Sequence, residues 1–180
     1  NWSLELWGED VLINNRGGRL YYWDTSAGDS ARAVLASSLA GASGIPTKIR
    51  TIAVSFPDRH VIAGGTNDLS NGEIDPMLVR FSDQEDFTQF TPTSTNTAGD
   101  QRLEIGSKIV CLTPTKDEMF IQTDEAAYGM NFVGPPFTFS FRLLAVNCGA
   151  VALHGTANVD GDVYWIGRSN FFVYDGAIKE

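Results

Sequence analysis

The stretch that decides the fold is Lys108–Phe132, with the sequence KIVCLTPTKDEMFIQTDEAAYGMNF. It contains an apolar run, a turn at Pro114–Asp117, a second apolar run, a short turn, and a third run that carries aromatic residues. Short runs of β-branched and aromatic residues bounded by Pro, Asp or Gly are typical of β-strands. The stretch therefore predicts a three-stranded antiparallel meander.

The same plan recurs in four segments along the chain. The first turn of each segment carries an acid, and these acids (Asp10, Asp58, Asp117 and Asp160) are 48, 59 and 43 residues apart. A propeller blade is about 40–50 residues long, and the polar loop Ser82–Ser107 lengthens the second segment. The predicted strands are, segment by segment, Ser3–Trp7, Val11–Ile13 and Arg19–Asp24; Thr51–Phe56, Arg59–Ala63 and Met77–Asp83; Lys108–Thr113, Glu118–Gln122 and Ala127–Phe132; and Ala150–Thr156, Asp162–Ile166 and Asn170–Gly176.

A fourth strand is predicted at Ala31–Ser37, Phe87–Thr91 and Phe137–Leu143. The alanines and the possible Ser30 cap also suit a helix over Ser30–Leu39, but the repeat favours a strand. One meander cannot cover both of its faces, so neighbouring meanders should stack face to face. We expect an all-β, β-propeller-like fold of about four antiparallel meander blades in a single domain over residues 1–180. A β-sandwich is the alternative.

The charge and hydropathy of the chain exclude several classes of function. With 13 basic and 22 acidic residues, its formal net charge is −9. Nonspecific DNA binding requires a positive face that displaces counterions, and Lys and Arg are not clustered in this sequence. A negative chain instead suits a channel that DNA passes without specific binding. No apolar run approaches the roughly 18–20 residues of a spanning helix, so we expect no membrane span.

Residues that could carry catalysis or hold a metal are few and scattered. His60 and His154 are far apart in the sequence, and neither H-x-x-x-H nor C-x-x-C spacing occurs. No G-x-S-x-G nucleophile elbow is present. Cys111 and Cys148 suit two buried thiols better than a disulfide, although a bridge stays open. We predict that the chain is not an enzyme and has no catalytic, cofactor-binding or metal-binding residue.

Acidic and aromatic residues form the remaining clusters. The acids at Asp83–Asp86 and Asp160–Asp162 suit solvated turns better than a paired-carboxylate or calcium site. Aromatic residues are dense at both ends of the chain, where they either pack between blades or, if exposed, stack on sugars or anchor a protein partner. These aromatic residues are Trp2, Trp7, Tyr21, Tyr22, Trp23, Tyr164, Trp165, Phe171, Phe172 and Tyr174.

Several segments resemble the propeller part of tail nozzle, hub or stabilisation proteins of short-tailed bacteriophages. The resemblance covers nearly the whole chain and lies in soft motifs without a catalytic residue. The motifs are WSLELWGED at Trp2–Asp10, GGRLYYWD at Gly17–Asp24, DRHVIA at Asp58–Ala63, DPMLVRFSD at Asp75–Asp83, NTAGD at Asn96–Asp100 and VYWIG at Val163–Gly167.

This resemblance implies a structural component of the virion, made in the host cytoplasm. Such a protein would belong to a ring that gates or conducts DNA at the end of the phage tail. Its partners would be other tail proteins and copies of itself, held through blade edges and the loops Asn67–Asp75 and Asp83–Ser107. Members of that family are several times longer, so the resemblance implies a fragment of a larger tail protein. The alternative is an adhesion module that binds a host-surface glycan through exposed aromatic residues.

Overall fold

The computed structural model describes residues 1–56 and 58–180. The described residues form sixteen β-strands and two short 3₁₀ turns, Thr25–Ala27 and Ala36–Ser38, with the strands in four four-stranded antiparallel sheets. Sheet 1 has β1 (Trp2–Trp7), β2 (Asp10–Asn15), β3 (Leu20–Trp23) and β4 (Val34–Leu35); sheet 2 has β5 (Ile49–Val54), β6 (Val61–Asn67), β7 (Ile74–Phe81) and β8 (Gly99–Arg102); sheet 3 has β9 (Ile109–Pro114), β10 (Met119–Thr123), β11 (Ala126–Gly134) and β12 (Thr138–Val146); sheet 4 has β13 (Thr156–Val159), β14 (Asp162–Ile166), β15 (Phe171–Tyr174) and β16 (Ile178–Lys179).

Within every sheet the strands pair in chain order, so each sheet is a meander. Successive sheets pack face to face, and each neighbouring pair encloses one apolar layer. The layers contain Leu12, Leu20, Ile52, Val61 and Phe90 between sheets 1 and 2; Ile62, Val79, Phe81, Ile121 and Phe139 between sheets 2 and 3; and Phe120, Val163, Trp165, Phe172 and Tyr174 between sheets 3 and 4. The expected all-β, propeller-like stack of four meanders is confirmed.

The stack is open. The first strands of the sheets lie beside one another in the order β1, β5, β9 and β13. Over residues 1–56 and 58–180, no apolar layer joins sheet 4 back to sheet 1. Sheets 1 and 4 are therefore the two ends of the stack. In the same residues no helix is long and apolar enough to cross a membrane.

The fourth strand of the second sheet was predicted in the wrong place. Phe87–Thr91 is not a strand, because its aromatic rings fill space between sheets 1 and 2: Phe90 is buried, and Phe87 stacks on Tyr22. The edge position belongs to β8, Gly99–Arg102, which pairs with the end of β7. This strand is polar and solvent-facing, so it gave no apolar signal in the sequence.

Sheets 1 and 4 also differ from the sequence prediction. Only Val34–Leu35 of the predicted strand Ala31–Ser37 pairs, and Ala36–Ser38 forms a 3₁₀ turn. The first strand of sheet 4 is β13 and not Ala150–Thr156, because β13 and β14 form a hairpin around Asp160-Gly161. Both turn residues have positive φ, 56° and 102°, which a tight two-residue hairpin requires. The predicted third repeat and Phe137–Leu143 coincide with strands β9–β12 to within a few residues.

Candidate functional site

Sheet 1 leaves one apolar face uncovered. Along β1, the Ser3 hydroxyl reaches Thr51 of sheet 2 and the Trp7 ring packs against the layer between the two sheets. Trp2, Leu4 and Leu6 point the other way and are 58%, 62% and 69% exposed. Strand register extends this surface across the sheet. The outer face of sheet 1 consists of Trp2, Leu4, Leu6, Val11, Ile13, Tyr21, Trp23 and Leu35.

Sheet 4 leaves an equivalent apolar face uncovered at the other end of the stack. Trp165 and Phe172 point toward sheet 3, whereas Tyr164 and Phe171 beside them on the same strands are 47% and 74% exposed. The charges on this side lie at the margins, and Lys179 is paired with Asp175. The outer face of sheet 4 consists of Ala157, Val159, Tyr164, Ile166, Phe171 and Val173.

The first strands of the sheets border a groove of about 380 Å³. Glu5 of β1 lies in it, and burial raises the pKa of this carboxyl to about 7, although a hydrogen bond from the Val54 backbone opposes the shift. Threonine hydroxyls of three other first strands, Thr51, Thr113 and Thr156, add polar lining. His154 lies at its rim and is exposed. A carboxyl that is half neutral near pH 7 makes the groove less negative than its composition suggests.

His60 lies in a buried Ser–His–Asp arrangement that does not have the geometry of a catalytic triad. Its Nδ1 is 2.8 Å from Asp58 Oδ2, and its side chain is 0% exposed. The Ser55 hydroxyl donates to the same Asp58 oxygen at 2.7 Å and not to the imidazole. A serine nucleophile needs its proton to face the histidine base. Here the serine instead helps to hold the carboxylate.

The second imidazole nitrogen ties this turn to the long loop of sheet 2. His60 Nε2 is 2.9 Å from Thr97 Oγ1, and the Thr97 hydroxyl donates to Asp83 at 2.7 Å. Phe139 of sheet 3 packs edge-on to the ring at 4.9 Å. Burial acts to raise the pKa of Asp58, but the hydrogen bonds from His60 and Ser55 outweigh it, so this pKa lies below its ordinary value. The network therefore fixes a turn and has no access for substrate.

Two acids of the cluster Asp83–Asp86 serve as turn caps. Asp83 accepts the backbone N–H groups of Gln84 and Thr97, Asp86 accepts that of Thr88, and Glu85 pairs with Arg59. Asp83 and Asp86 thus point into the loop backbone. Asp160 and Asp162 instead line a pocket of about 490 Å³ beside Asp117 and Glu118. Residues 1–56 and 58–180 contain no group of three or more His, Cys, Asp or Glu side chains placed to hold a metal ion.

The two cysteines are buried free thiols, as the sequence favoured. Burial raises the pKa of both Cys111 and Cys148, because an apolar environment disfavours the thiolate. The thiolate is the reactive form, so neither residue is placed as a nucleophile. Cys148 instead accepts the indole N–H of Trp165 on its backbone carbonyl at 2.7 Å.

The aromatic residues divide between packing and exposure. Trp7, Tyr22, Trp165, Phe172 and Tyr174 pack against the layers between sheets. Trp2, Tyr164 and Phe171 lie on the two outer faces instead. The exposure of the aliphatic members of those faces, Leu4, Leu6, Val159 and Ile166, was missed in the sequence, because alternation does not show whether another sheet covers a face.

No protein family and no curated protein matches the sequence. Among solved structures, the chain is similar to one described as the crystal structure of the computationally designed Ika4 protein. The TM-score is 0.54 at 15% sequence identity, and the match covers 96% of this chain and 88% of that chain. At this identity the similarity concerns the fold alone.

Proposed function

We propose that the chain is a structural assembly module of a bacteriophage tail. It works through protein–protein contacts and not as an enzyme, in a ring or hub that gates or conducts DNA. The observation that carries the proposal is the pair of apolar outer faces on sheets 1 and 4. Large contiguous apolar patches on a folded chain mark interaction sites, because leaving them in water is unfavourable. The resemblance to tail nozzle and hub proteins supports the placement in a virion.

In this proposal the contact surfaces are the sheet faces rather than the long loop Asp83–Ser107. Phe90 in this loop is buried between sheets 1 and 2, and the Phe90 N–H donates to the Ser43 carbonyl. The guanidinium of Arg80 donates to the Phe90 carbonyl. The part of the loop around Phe90 is thus held against its own domain. The net charge of −9 suits passage of DNA past the assembled protein without specific binding.

The proposal is tested by placing Leu6→Lys in the genome that encodes the chain and examining released particles by negative-stain electron microscopy. We expect particles with incomplete tails and a loss of infectivity, because a charge placed inside an apolar contact is costly to bury. The matched control is Leu69→Lys, which changes an exposed leucine in the turn between β6 and β7. Normal tails with Leu6→Lys would overturn the proposal.

A second candidate is binding of a host-surface glycan, and one observation favours it. Trp2 and Tyr21 border a shallow depression of about 370 Å³ on sheet 1, together with the amide-bearing side chain of Asn15. An exposed aromatic ring beside an amide can stack on a sugar and hydrogen-bond its hydroxyls. A glycan array tests this candidate: binding that is lost with Trp2→Ala supports it, and no binding by the unmodified chain removes it.

A further inference from the structure

We propose that two copies of the chain join head to tail, with the outer face of sheet 1 in each copy covering the outer face of sheet 4 in the other. Two equivalent contacts would then close an eight-sheet ring. This inference rests on the proposed function, in which the outer faces are contact surfaces, and it names their partner as a second copy of the chain.

The first step is that the two outer faces are opposite sides of equivalent sheets. Sheets 2 and 3 each turn one side to the preceding sheet and the other side to the following one. Within residues 1–56 and 58–180, no sheet precedes sheet 1 and none follows sheet 4. Each apolar layer inside the chain forms where two such unlike sides meet. The uncovered side of sheet 4 is thus the kind of surface that the uncovered side of sheet 1 is built to meet.

The second step is the composition of the two faces. The central row of the sheet 1 face is Leu4, Ile13, Tyr21 and Leu35, and it contains no charge. The centre of the sheet 4 face is Tyr164, flanked by Ala157 and Val173. The inner layers contain the same residue types, such as Leu, Ile, Val and aromatic rings. Burying both faces together therefore resembles adding one more inner layer.

The third step concerns the edges of the end sheets. The outer edge strands β4 and β16 are two residues long each. Short edge strands disfavour growth by strand addition. The surface open to a partner is therefore the face of the sheet and not its edge.

The last step is the number of copies. Contacts between unlike faces either close into a ring or continue as a filament. Propellers typically have about four to eight blades around their axis. Two four-sheet copies give eight sheets, whereas three copies give twelve. Closure with two copies therefore gives a blade number within the usual range of propellers. It places the groove bordered by β1, β5, β9 and β13 in one copy opposite the same groove in the other.

The experiment measures the mass of the unmodified 180-residue chain by analytical ultracentrifugation, from about 1 to 200 μM. We expect one species of twice the chain mass of 19.6 kDa, with no larger species as the concentration rises. Two variants change one face each: Leu6→Lys on sheet 1 and Tyr164→Glu on sheet 4. Each should raise the dissociation constant by about 100-fold or more, because every contact in the closed pair uses both faces.

Mixing the two variants distinguishes the geometry. A hybrid pair has one contact between two unmodified faces, so an equimolar mixture should pair in part although neither variant does so alone. The matched controls are Leu69→Lys and Leu69→Glu, which should pair like the unmodified chain. Circular dichroism shows whether each variant is folded. If Leu6→Lys does not fold, Leu6→Ser takes its place, and if Tyr164→Glu does not fold, Tyr164→Ser takes its place.

Each other outcome overturns the inference in a different way. An unmodified chain that stays monomeric at 200 μM removes the second copy as partner, while the particle experiment above still decides the proposed function separately. A mass that keeps growing as the concentration rises would indicate a filament and would rule out the closed pair. Pairing that Leu6→Lys abolishes and Tyr164→Glu leaves intact, without recovery on mixing, would show like faces meeting and would remove the head-to-tail arrangement.

Discussion

The inner sheets and the end sheets differ in burial much more than in sequence. Every residue of β6 and β10 is buried, whereas exposed and covered residues alternate along β1 and β14. The exposed positions of β1 are nevertheless Trp2, Leu4 and Leu6, which are more apolar than Ser3 and Glu5 on its covered side. A sheet with one wet face normally places polar residues on it. The end sheets therefore have sequences that suit burial on both sides, although the chain covers only one.

This difference separates what a residue contributes to the fold from what it contributes to contacts. Side chains in the inner layers hold the four sheets together, so their removal should unfold the chain. Side chains on the outer faces touch little of their own chain, so their removal should change association and leave the fold unaffected. The four predictions below test that separation, beginning with the largest expected effect.

The largest effect is expected for Phe120→Ala in the layer between sheets 3 and 4. Phe120 is fully buried, and its ring centre lies 5.3 Å from that of Trp165 and 4.9 Å from that of Tyr174. Removing a buried ring leaves a cavity and should lower the free energy of unfolding by about 3–5 kcal/mol. Urea denaturation followed by tryptophan fluorescence measures this loss in dilute protein.

The matched control is Phe171→Ala on the outer face of sheet 4, where the ring is largely exposed. We expect its free energy of unfolding to stay within about 0.5 kcal/mol of the unmodified value. Similar losses for the two variants would mean that the outer face is held by contacts within the chain, and the comparison would fail.

The second effect concerns the polar network around His60 in sheet 2. Asp58→Asn replaces a carboxylate that accepts from both His60 and Ser55, and it should cost about 2–4 kcal/mol at pH 7 because a neutral amide is a weaker acceptor for these buried donors. The pKa of Asp58 is lowered in the folded chain. The stabilising contribution of the Asp58 charge is thus present above pH of about 3.9, the ordinary pKa of Asp. It is lost as the pH falls through the lower pKa that Asp58 has in the folded chain.

Denaturation at pH 7 and at pH 3 measures this difference. The difference in the free energy of unfolding between Asp58→Asn and the unmodified chain should shrink at the lower pH. Asp29→Asn, in the exposed turn after the 3₁₀ segment of sheet 1, should show no gap at either pH. A gap for Asp58→Asn that stays constant between the two values would contradict the assigned role of its charge.

The third effect is a pH dependence that originates on the covered side of an end strand. Burial raises the pKa of Glu5 from 4.5 to about 7 in the folded chain. The proton on this carboxyl stabilises the fold fully below pH of about 4.5, and that contribution is lost as the pH rises through about 7. Glu5→Gln cannot ionise, so it should become more stable than the unmodified chain by roughly 1–3 kcal/mol at pH 8.

Thermal unfolding at pH 4.5, 6 and 8 tests this sign. Glu104→Gln, an exposed acid in the connection between sheets 2 and 3, is the control and should follow the unmodified chain at all three values. A Glu5→Gln variant that is less stable at pH 8 would mean that the carboxylate is satisfied in the groove, contrary to the raised pKa.

The sequence was sufficient to predict the elements that local signals determine. The meander Lys108–Phe132 and the turn at Asp160-Gly161 follow from apolar runs and from residues that tolerate positive φ. Local signals failed for Gly99–Arg102, because an exposed edge strand needs no apolar residue, and for Phe87–Thr91, because aromatic rings can fill a layer from a loop. Which partner covers a segment depends on residues distant in the sequence.

The candidate site depended even more on distant residues. Leu4 and Leu6 look like ordinary core residues in the sequence, since period-two alternation shows which residues share a face but not whether another sheet covers that face. The His60 network was hidden for the same reason, because Thr97 reaches the imidazole from a loop 37 residues away. Exposure of an apolar residue becomes informative only once its neighbours are placed.

The smallest expected effect is the most direct test of the two kinds of face, because it compares opposite sides of one sheet. Leu6→Ser on the outer face of sheet 1 removes an apolar side chain that is already in water. It should therefore change the free energy of unfolding of the dilute chain by no more than about 0.5 kcal/mol. Leu12→Ala on the covered side of the same sheet removes a fully buried side chain and should cost about 2–5 kcal/mol. Measured instead at 200 μM, Leu6→Ser should lose the extra stability that pairing gives the unmodified chain, because a contact that binds only the folded state stabilises it by mass action. A Leu6→Ser variant that is destabilised equally at both concentrations would place Leu6 in the fold and not in the contact.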